Sequence, residues 1–291
     1  MEGYKQIKSS IVAIASARIK KGAHFPHIIG TGFFIHEDGV IVTNKHVIDQ
    51  IRSLQTEPEQ LVSDLIKVLY FEKTPTSMRV AVLGVFSVAE ITRTLPEGSV
   101  HYGPDSPDIG LIVLRDVSHC PAVKFYEGEV EEGASLAVAG FPMGERALSA
   151  PGWLHQIGPT LQTGTVASLL PFACEKPHGY LIDVVIQGGS SGSPLFVPNT
   201  GEVVGIMYGG LVDYYESQSA GTFYQVPTSL SLAVPARYLM EVKKKIESDG
   251  LPKRNTVPLA DWLKSMESQK VSQSPREAFK NGPVKLSSSK L

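Results

Sequence analysis

The octapeptide Gln187-Gly188-Gly189-Ser190-Ser191-Gly192-Ser193-Pro194 sets two adjacent serines among glycines and ends on proline. Glycine lets a backbone turn tightly enough to aim neighbouring N–H groups at one point. A hydroxyl beside such donors is the arrangement of an oxyanion hole with its nucleophile. Ser191 has a glycine after it and Gly189 two residues before, so its own N–H and that of Gly189 can converge on one oxygen, while Ser190 is expected to face into the turn. A serine hydroxyl also needs a base, and the base a carboxylate that holds its tautomer. The candidates are His46, in Ile41-Val42-Thr43-Asn44-Lys45-His46-Val47, and Asp108, in Ser106-Pro107-Asp108-Ile109-Gly110-Leu111-Ile112. Asp108 stands just ahead of an apolar strand, where it is expected to be buried and to accept the imidazole Nδ1–H. The remaining histidines show no ligand spacing, so neither a metal nor a cofactor is expected.

These residues lie in a chain that reads as all-β between residues 11 and 234. Short apolar or alternating runs are separated by Gly, Pro and Asp turns, the pattern of a barrel or sandwich. Glu37-Asp38-Gly39 is expected to join two of these strands as a hairpin, with the histidine segment at the end of the second. Residues 48–66 look helical at their far end. Residues 235–248 are expected to form the dominant helix, with Leu239, Val242 and Ile246 on one face and Lys243, Lys244 and Lys245 in the last turns. From Leu251 on there are eight Lys/Arg and three Asp/Glu. This stretch, 251–291, is expected to be a basic, largely disordered tail, with one or two amphipathic turns over 257–266 that put Leu259, Trp262 and Leu263 on one face, and with 272–291 lacking fixed structure.

Across all 291 residues, 27 basic side chains nearly balance 29 acidic ones, which leaves no electrostatic footprint of a nucleic-acid binder. No apolar run approaches the roughly 20 residues of a membrane-spanning helix. Lys5 and Lys8 ahead of Ile11-Val12-Ala13-Ile14-Ala15-Ser16-Ala17 mimic a secretory leader, but charges follow at once and the run reads as a first strand. Only Cys120 and Cys174 are present, too few for a disulfide framework, so buried free thiols and a cytoplasmic location are expected.

With the order His46, Asp108, Ser191, the segments Thr31-Gly32-Phe33-Phe34-Ile35, Asp38-Gly39-Val40-Ile41-Val42-Thr43-Asn44-Lys45-His46-Val47, Asp108-Ile109-Gly110-Leu111 and Gly189-Ser190-Ser191-Gly192-Ser193-Pro194 resemble the trypsin-like (chymotrypsin-fold) serine peptidases of the HtrA/Deg branch. Gly140-Phe141-Pro142 and Ala233-Val234-Pro235-Ala236-Arg237 extend the resemblance to residues 11–246. It implies a double β-barrel with a C-terminal helix, in a peptidase domain over residues 1–250. The first six-stranded barrel would span about 1–120 and the second about 132–235, with the site between them. By the same resemblance Ser191 attacks a scissile carbonyl, His46 moves the proton, Asp108 orients the imidazole, and the N–H groups of Gly189 and Ser191 hold the oxyanion. Val185, six residues before Ser191, with Tyr208, Gly209 and Gly210, would shape a primary pocket for aliphatic side chains. The partner implied is a protein or peptide substrate, with room for a homo-oligomer, and the residues after Ile246 are too few and too polar for a PDZ domain.

The sequence departs from the family at Ser190, where an Asn or Asp is usual, and at Ser193, which replaces a second glycine and requires a negative φ. The rival readings are a catalytically inactive trypsin-fold binding or scaffold module, and a Gly-x-Ser-x-Gly hydrolase elbow. The elbow fails because no histidine follows Ser190.

Overall fold

The computed structural model describes residues 1–17, 26–73, 78–91, 106–144, 158–216, 223–267 and 284–286. After a short helix α1 (Glu2–Ile7) the first half contributes β1 (Ile11–Ser16), β2 (Ile28–His36), β3 (Val40–Thr43), α2 (Lys45–Arg52), α3 (Val62–Leu65), β4 (Ile66–Lys73), β5 (Met78–Leu83), β6 (Val85–Glu90), β7 (Gly110–Leu114) and β8 (Val117–Ser118). The second half contributes β9 (Ser135–Gly140), β10 (Thr160–Leu170), β11 (Gly179–Ile182), β12 (Pro194–Phe196), β13 (Val203–Glu216) and β14 (Phe223–Pro235). Then come α4 (Arg237–Asp249), β15 (Val257–Pro258), α5 (Leu259–Glu267) and β16 (Val284–Leu286).

The fold is all-β, with two barrel-like halves. In the second, β10-β11-β14-β13-β12-β9 close into a six-stranded barrel. In the first, the order is β16-β5-β4-β1-β2-β3-β7-β6. Because β5 and β6 are one run of chain bent at Gly84, the two ends of the β5-to-β6 order are the same stretch, which curls that sheet around on itself.

Alternation along the strands explains why so many of them are apolar throughout. Val12 and Ile14 of β1, Phe34 of β2 and Ile41 of β3 fill the first barrel. Their neighbours Ile11, Ala13, Phe33, Val40 and Val42 face a second core shared with Ala137, Ala139, Phe141 and Phe196 of the other half. Residues buried on both faces of a strand leave no polar positions in its sequence. Helix α4 seals this shared core with Leu239, Val242 and Ile246.

The expectation of a largely disordered tail from residue 251 is corrected over 251–258, and the amphipathic turns expected around Leu259, Trp262 and Leu263 form as α5. Arg254 donates to the carbonyls of Asp38 and Leu114, Val257 N–H donates to Asp116 O at 3.0 Å, and β15 runs parallel to β8. Leu259 and Leu263 of α5 enter the first-barrel core, where buried Arg79 donates to Leu263 O at 2.8 Å and pairs with Glu72. A few apolar residues suffice to order a polar segment when they complete a core that already exists. Most of 272–291 lies outside the described residues, apart from β16, which pairs with β5.

The two cysteines are both free. Cys120 is 5% exposed in the first-barrel core, and burial pushes its thiol up to about 12, whereas Cys174 is exposed. Native protein treated with iodoacetamide near neutral pH is expected to alkylate at Cys174 alone, with Cys120 reacting only after denaturant, as read by peptide mass mapping. Equal labelling of both in the native state would contradict this packing.

Candidate active site

β3 ends at Thr43, and the chain turns into α2 with buried Asn44 as its N-cap. His46 is therefore a first-turn helical residue rather than the end of a strand, and its backbone N–H is one of the donors that a helix start leaves unpaired. Asp108, in the turn before β7, satisfies it: Oδ1 accepts His46 N–H at 3.0 Å, and Oδ2 lies 2.5 Å from His46 Nδ1. Asn44 Nδ2 donates to the Asp108 carbonyl at 2.8 Å and holds the turn in place. A carboxylate accepts only, so Nδ1 carries the hydrogen and Nε2 keeps its lone pair. The outer side of α2 is anchored by Lys45, which pairs with Asp49 at 2.6 Å and Glu90 at 3.1 Å, and by Arg52, which pairs with both of the same carboxylates. Hydrogen bonding from Arg52, then from Lys45, holds the Glu90 carboxyl below the usual carboxylate range.

The 187–193 turn explains its own composition. Gly188 O accepts Met143 N–H at 2.8 Å and Ser190 O accepts Ser193 N–H at 3.0 Å. In a trans peptide the next N–H points opposite to the carbonyl, so these two bonds turn the N–H groups of Gly189 and Ser191 the other way. Ser190, Gly192 and Ser193 spend their own N–H groups on Gln187 O, Met207 O and Ser190 O. Those of Gly189 and Ser191 meet no acceptor among the described residues. Gly189 has φ +96° and a Cβ there would sit 2.2 Å from Phe141 O, so only glycine fits. Ser190 is 2% exposed, whereas Ser191 is half-buried. Ser193 does not have a positive φ, as its replacement of glycine requires.

Sequence reasoning missed the residue that joins the two halves. Thr31 of β2 donates through its N–H to Ser191 O at 2.7 Å and through Oγ1 to Gly189 O at 2.7 Å. Its Oγ1 accepts Phe141 N–H at 3.1 Å, and its carbonyl accepts Thr43 Oγ1 at 2.7 Å. Next to it, a Cβ on Gly30 would sit 2.7 Å from Val47 Cγ2 and 3.1 Å from Ser191 O, so one glycine separates the helix of His46 from the turn of Ser191. A strand pattern marks Thr31 as extended but does not reveal that its hydroxyl spans two barrels. Met143 was also missed. It holds a left-handed φ of +65°, costly for a side chain with a Cβ, and supplies the N–H that sets Gly188.

The expected pocket residues lie along β13 and the segment before the turn. Burial, and then the negative charge of Asp108, raise the Tyr208 phenol above its ordinary range. A Cβ on Gly209 would meet nothing within 4 Å, so the fold does not need glycine there, and the open space suits a ligand backbone at close approach. A Cβ on Gly210 would meet Ile186 Cγ1 at 3.4 Å. Val185 is 40% exposed and its carbonyl accepts Gln162 Nε2 at 3.1 Å, so the apolar wall facing Gly210 is Ile186. A cavity of about 610 Å³ lies elsewhere, against α4, lined by Tyr126, Leu169, Tyr180 and Met240 and touching none of these residues.

Residues 30–206 match the family described as the trypsin-like peptidase domain. Two curated relatives are each named "Probable periplasmic serine endoprotease DegP-like". The one from Halomonas elongata is 26% identical over 86% of this chain and 40% of its own length. The one from Pseudomonas putida is 25% identical over the same two shares. The chain thus spans about 40% of the length of these relatives. A solved HtrA-type protease with a tripeptide aligns at a TM-score of 0.49 and 15% identity, covering 86% of this chain and 64% of that one. The relatives' names overturn the cytoplasmic expectation. A chain large enough to bury its own core needs no disulfide, so a low cysteine count does not report the compartment.

Proposed function

The chain belongs to the trypsin-like peptidase domain family, and on that premise we propose that it is a serine endopeptidase of HtrA/Deg type acting on protein or peptide substrates. The observation that carries this is the pairing of His46 Nδ1 with Asp108 Oδ2 at 2.5 Å, which leaves Nε2 as the base. In the proposed reaction Ser191 Oγ attacks the scissile carbonyl as Nε2 takes its proton. The oxyanion is held by the N–H groups of Gly189 and Ser191. The imidazolium, steadied by Asp108, protonates the leaving amine. Water, deprotonated by the same Nε2, then cleaves the acyl-enzyme. The test is labelling by a fluorophosphonate probe with peptide mapping, alongside cleavage of an unfolded protein. Labelling at Ser191 with cleavage is the expected result. Neither labelling nor cleavage by folded protein would favour the binding-module reading.

The proposed primary pocket lies between Val185–Gln187 and Tyr208–Gly210. Ile186 supplies an apolar wall and no charge, so small and medium aliphatic residues are the expected preference. Gly209→Val is the sharpest check of this pocket. A β-branched residue suits the strand and the space is open, so stability is expected to change by no more than about 0.5 kcal/mol. Filling the substrate's path is expected to lower kcat/KM on leucine peptides by on the order of 10²-fold. Unchanged kcat/KM would remove Gly209 from the pocket.

A further inference from the structure

Beyond Met207, β13 leaves the barrel. Its N-terminal part is paired with β12, and at Met207 its free edge is taken by Gly192 N–H and Ser193 O, each at 2.9 Å. From Tyr208 to Glu216 it pairs only with β14 among the described residues, as a two-stranded arm whose register runs to Glu216 opposite Phe223. The arm is bare on both faces. Of the 14 exposed large hydrophobic residues among the described residues, half lie here, including Tyr214 at 64%, Tyr215 at 55%, Phe223 at 68% and Tyr224 at 53% exposed. Single exposed apolar residues are ordinary, but a concentration of them on one projection marks a binding surface.

We infer that this arm is an extended exosite for the substrate, docking an unfolded segment that mixes aromatic and basic side chains, N-terminal to the scissile bond. The inference rests on the peptidase reading and deepens it. A substrate residue seated between Ile186 and Tyr208–Gly210, with its carbonyl at Gly189 and Ser191, sends its upstream chain along the edge of β13 that becomes free just past Met207. An antiparallel partner adds about one residue per arm residue, so Leu211 onward faces substrate positions about five to nine upstream of the bond. Bulges between Met207 and Gly209 and between Gly210 and Val212 twist the arm as it leaves the barrel.

Charge selects this occupant over the others. Residues 208–231 carry Asp213 and Glu216 and no lysine or arginine. An amphipathic segment drawn to an anionic lipid surface relies on Lys and Arg. Two copies of the arm would bring like charges together. An extended segment mixing aromatic and basic side chains meets neither objection, and Tyr215 opposite Tyr224 offers it a flat apolar pair on one face.

The test uses the full chain as Ser191→Ala, so that binding is read without turnover. Fluorescein-labelled peptides end in the same aliphatic primary residue, with either three residues before it or nine, the added six alternating Phe and Lys or, as a control, Ser and Gly. The Phe/Lys extension is expected to tighten Kd by about tenfold or more over the Ser/Gly one. The additional pair Tyr215→Ser and Tyr224→Ser is expected to erase that gain. Equal affinity for the two extensions, or a gain that survives the double substitution, overturns the exosite. So does a sedimenting oligomer or phosphatidylcholine-vesicle binding that the same pair abolishes, because the arm would then serve another partner. Fluorophosphonate labelling of the unmodified protein tests the chemistry separately, so failure of the peptidase reading is distinguished from failure of the exosite.

Discussion

Ser191→Ala is expected to abolish fluorophosphonate labelling and to lower kcat by on the order of 10⁴ or more, while Ser190→Ala keeps the label at its place. The reason is directional. Ser190 is 2% exposed and closes the turn through its N–H to Gln187 O and its carbonyl to Ser193 N–H. Ser191 is the half-buried neighbour whose N–H, like that of Gly189, meets no acceptor among the described residues. His46→Ala is expected to cost as much, and the double variant little more, because in the proposed mechanism the hydroxyl and its base act as one unit. Asp108→Asn is expected to cost a similar factor of about 10⁴, since an amide nitrogen facing Nδ1 donates, driving the ring hydrogen to Nε2 and removing the base. Progress curves with a fluorogenic peptide, at matched concentrations of folded protein, measure these losses. A label that moves to Ser190, or a double variant far below either single one, would break the assignment.

Gly192→Ala is expected to destabilise the protein by about 3 kcal/mol or more and to inactivate it without touching a catalytic side chain. Gly192 has φ +86°, and a Cβ there would stand 2.0 Å from Thr31 O and 2.6 Å from Thr43 Oγ1. The left-handed backbone costs an L-residue about 1–2 kcal/mol and overpacking about 1–3 kcal/mol, and the main-chain carbonyl has little freedom to yield. Relief comes only by pushing β2 away from the turn, which loosens the Thr31 bonds to Ser191 O and Gly189 O and so disturbs the turn that carries Ser191. Thr31→Val separates the two effects. It keeps the shape and leaves Gly189 O and Phe141 N–H without the hydroxyl, at a cost of about 1–3 kcal/mol per buried group. Urea denaturation with unchanged m-value reads the stability change, and the rate of probe labelling reads the geometry. If Gly192→Ala were labelled as fast as the parent, β2 would not be what sets the two halves in register.

The parts of this protein written in the sequence are those that local chemistry dictates. Gly189 and Gly192 announce left-handed backbone, the apolar runs Ile11–Ala15 and Val40–Val42 announce strands buried on both faces, and Leu239, Val242 and Ile246 announce the seam of α4. The chain order of His46, Asp108 and Ser191 restricts which mechanism they could serve. Tertiary structure alone decided the rest, because the determining neighbours lie far away along the chain. Thr31 reads as any strand threonine until β2 lies against Gly189 and Ser191, 158 residues from the first of these by its hydroxyl bond. Leu259, Trp262 and Leu263 read as one face of a short turn on an otherwise disordered tail until Leu259 and Leu263 find a core made by residues more than a hundred positions earlier. Leu211, Val212, Tyr214 and Tyr215 are apolar enough to be covered, yet they stand in solvent, since composition reports which residues could be covered and only the packing of the whole chain determines which of them are.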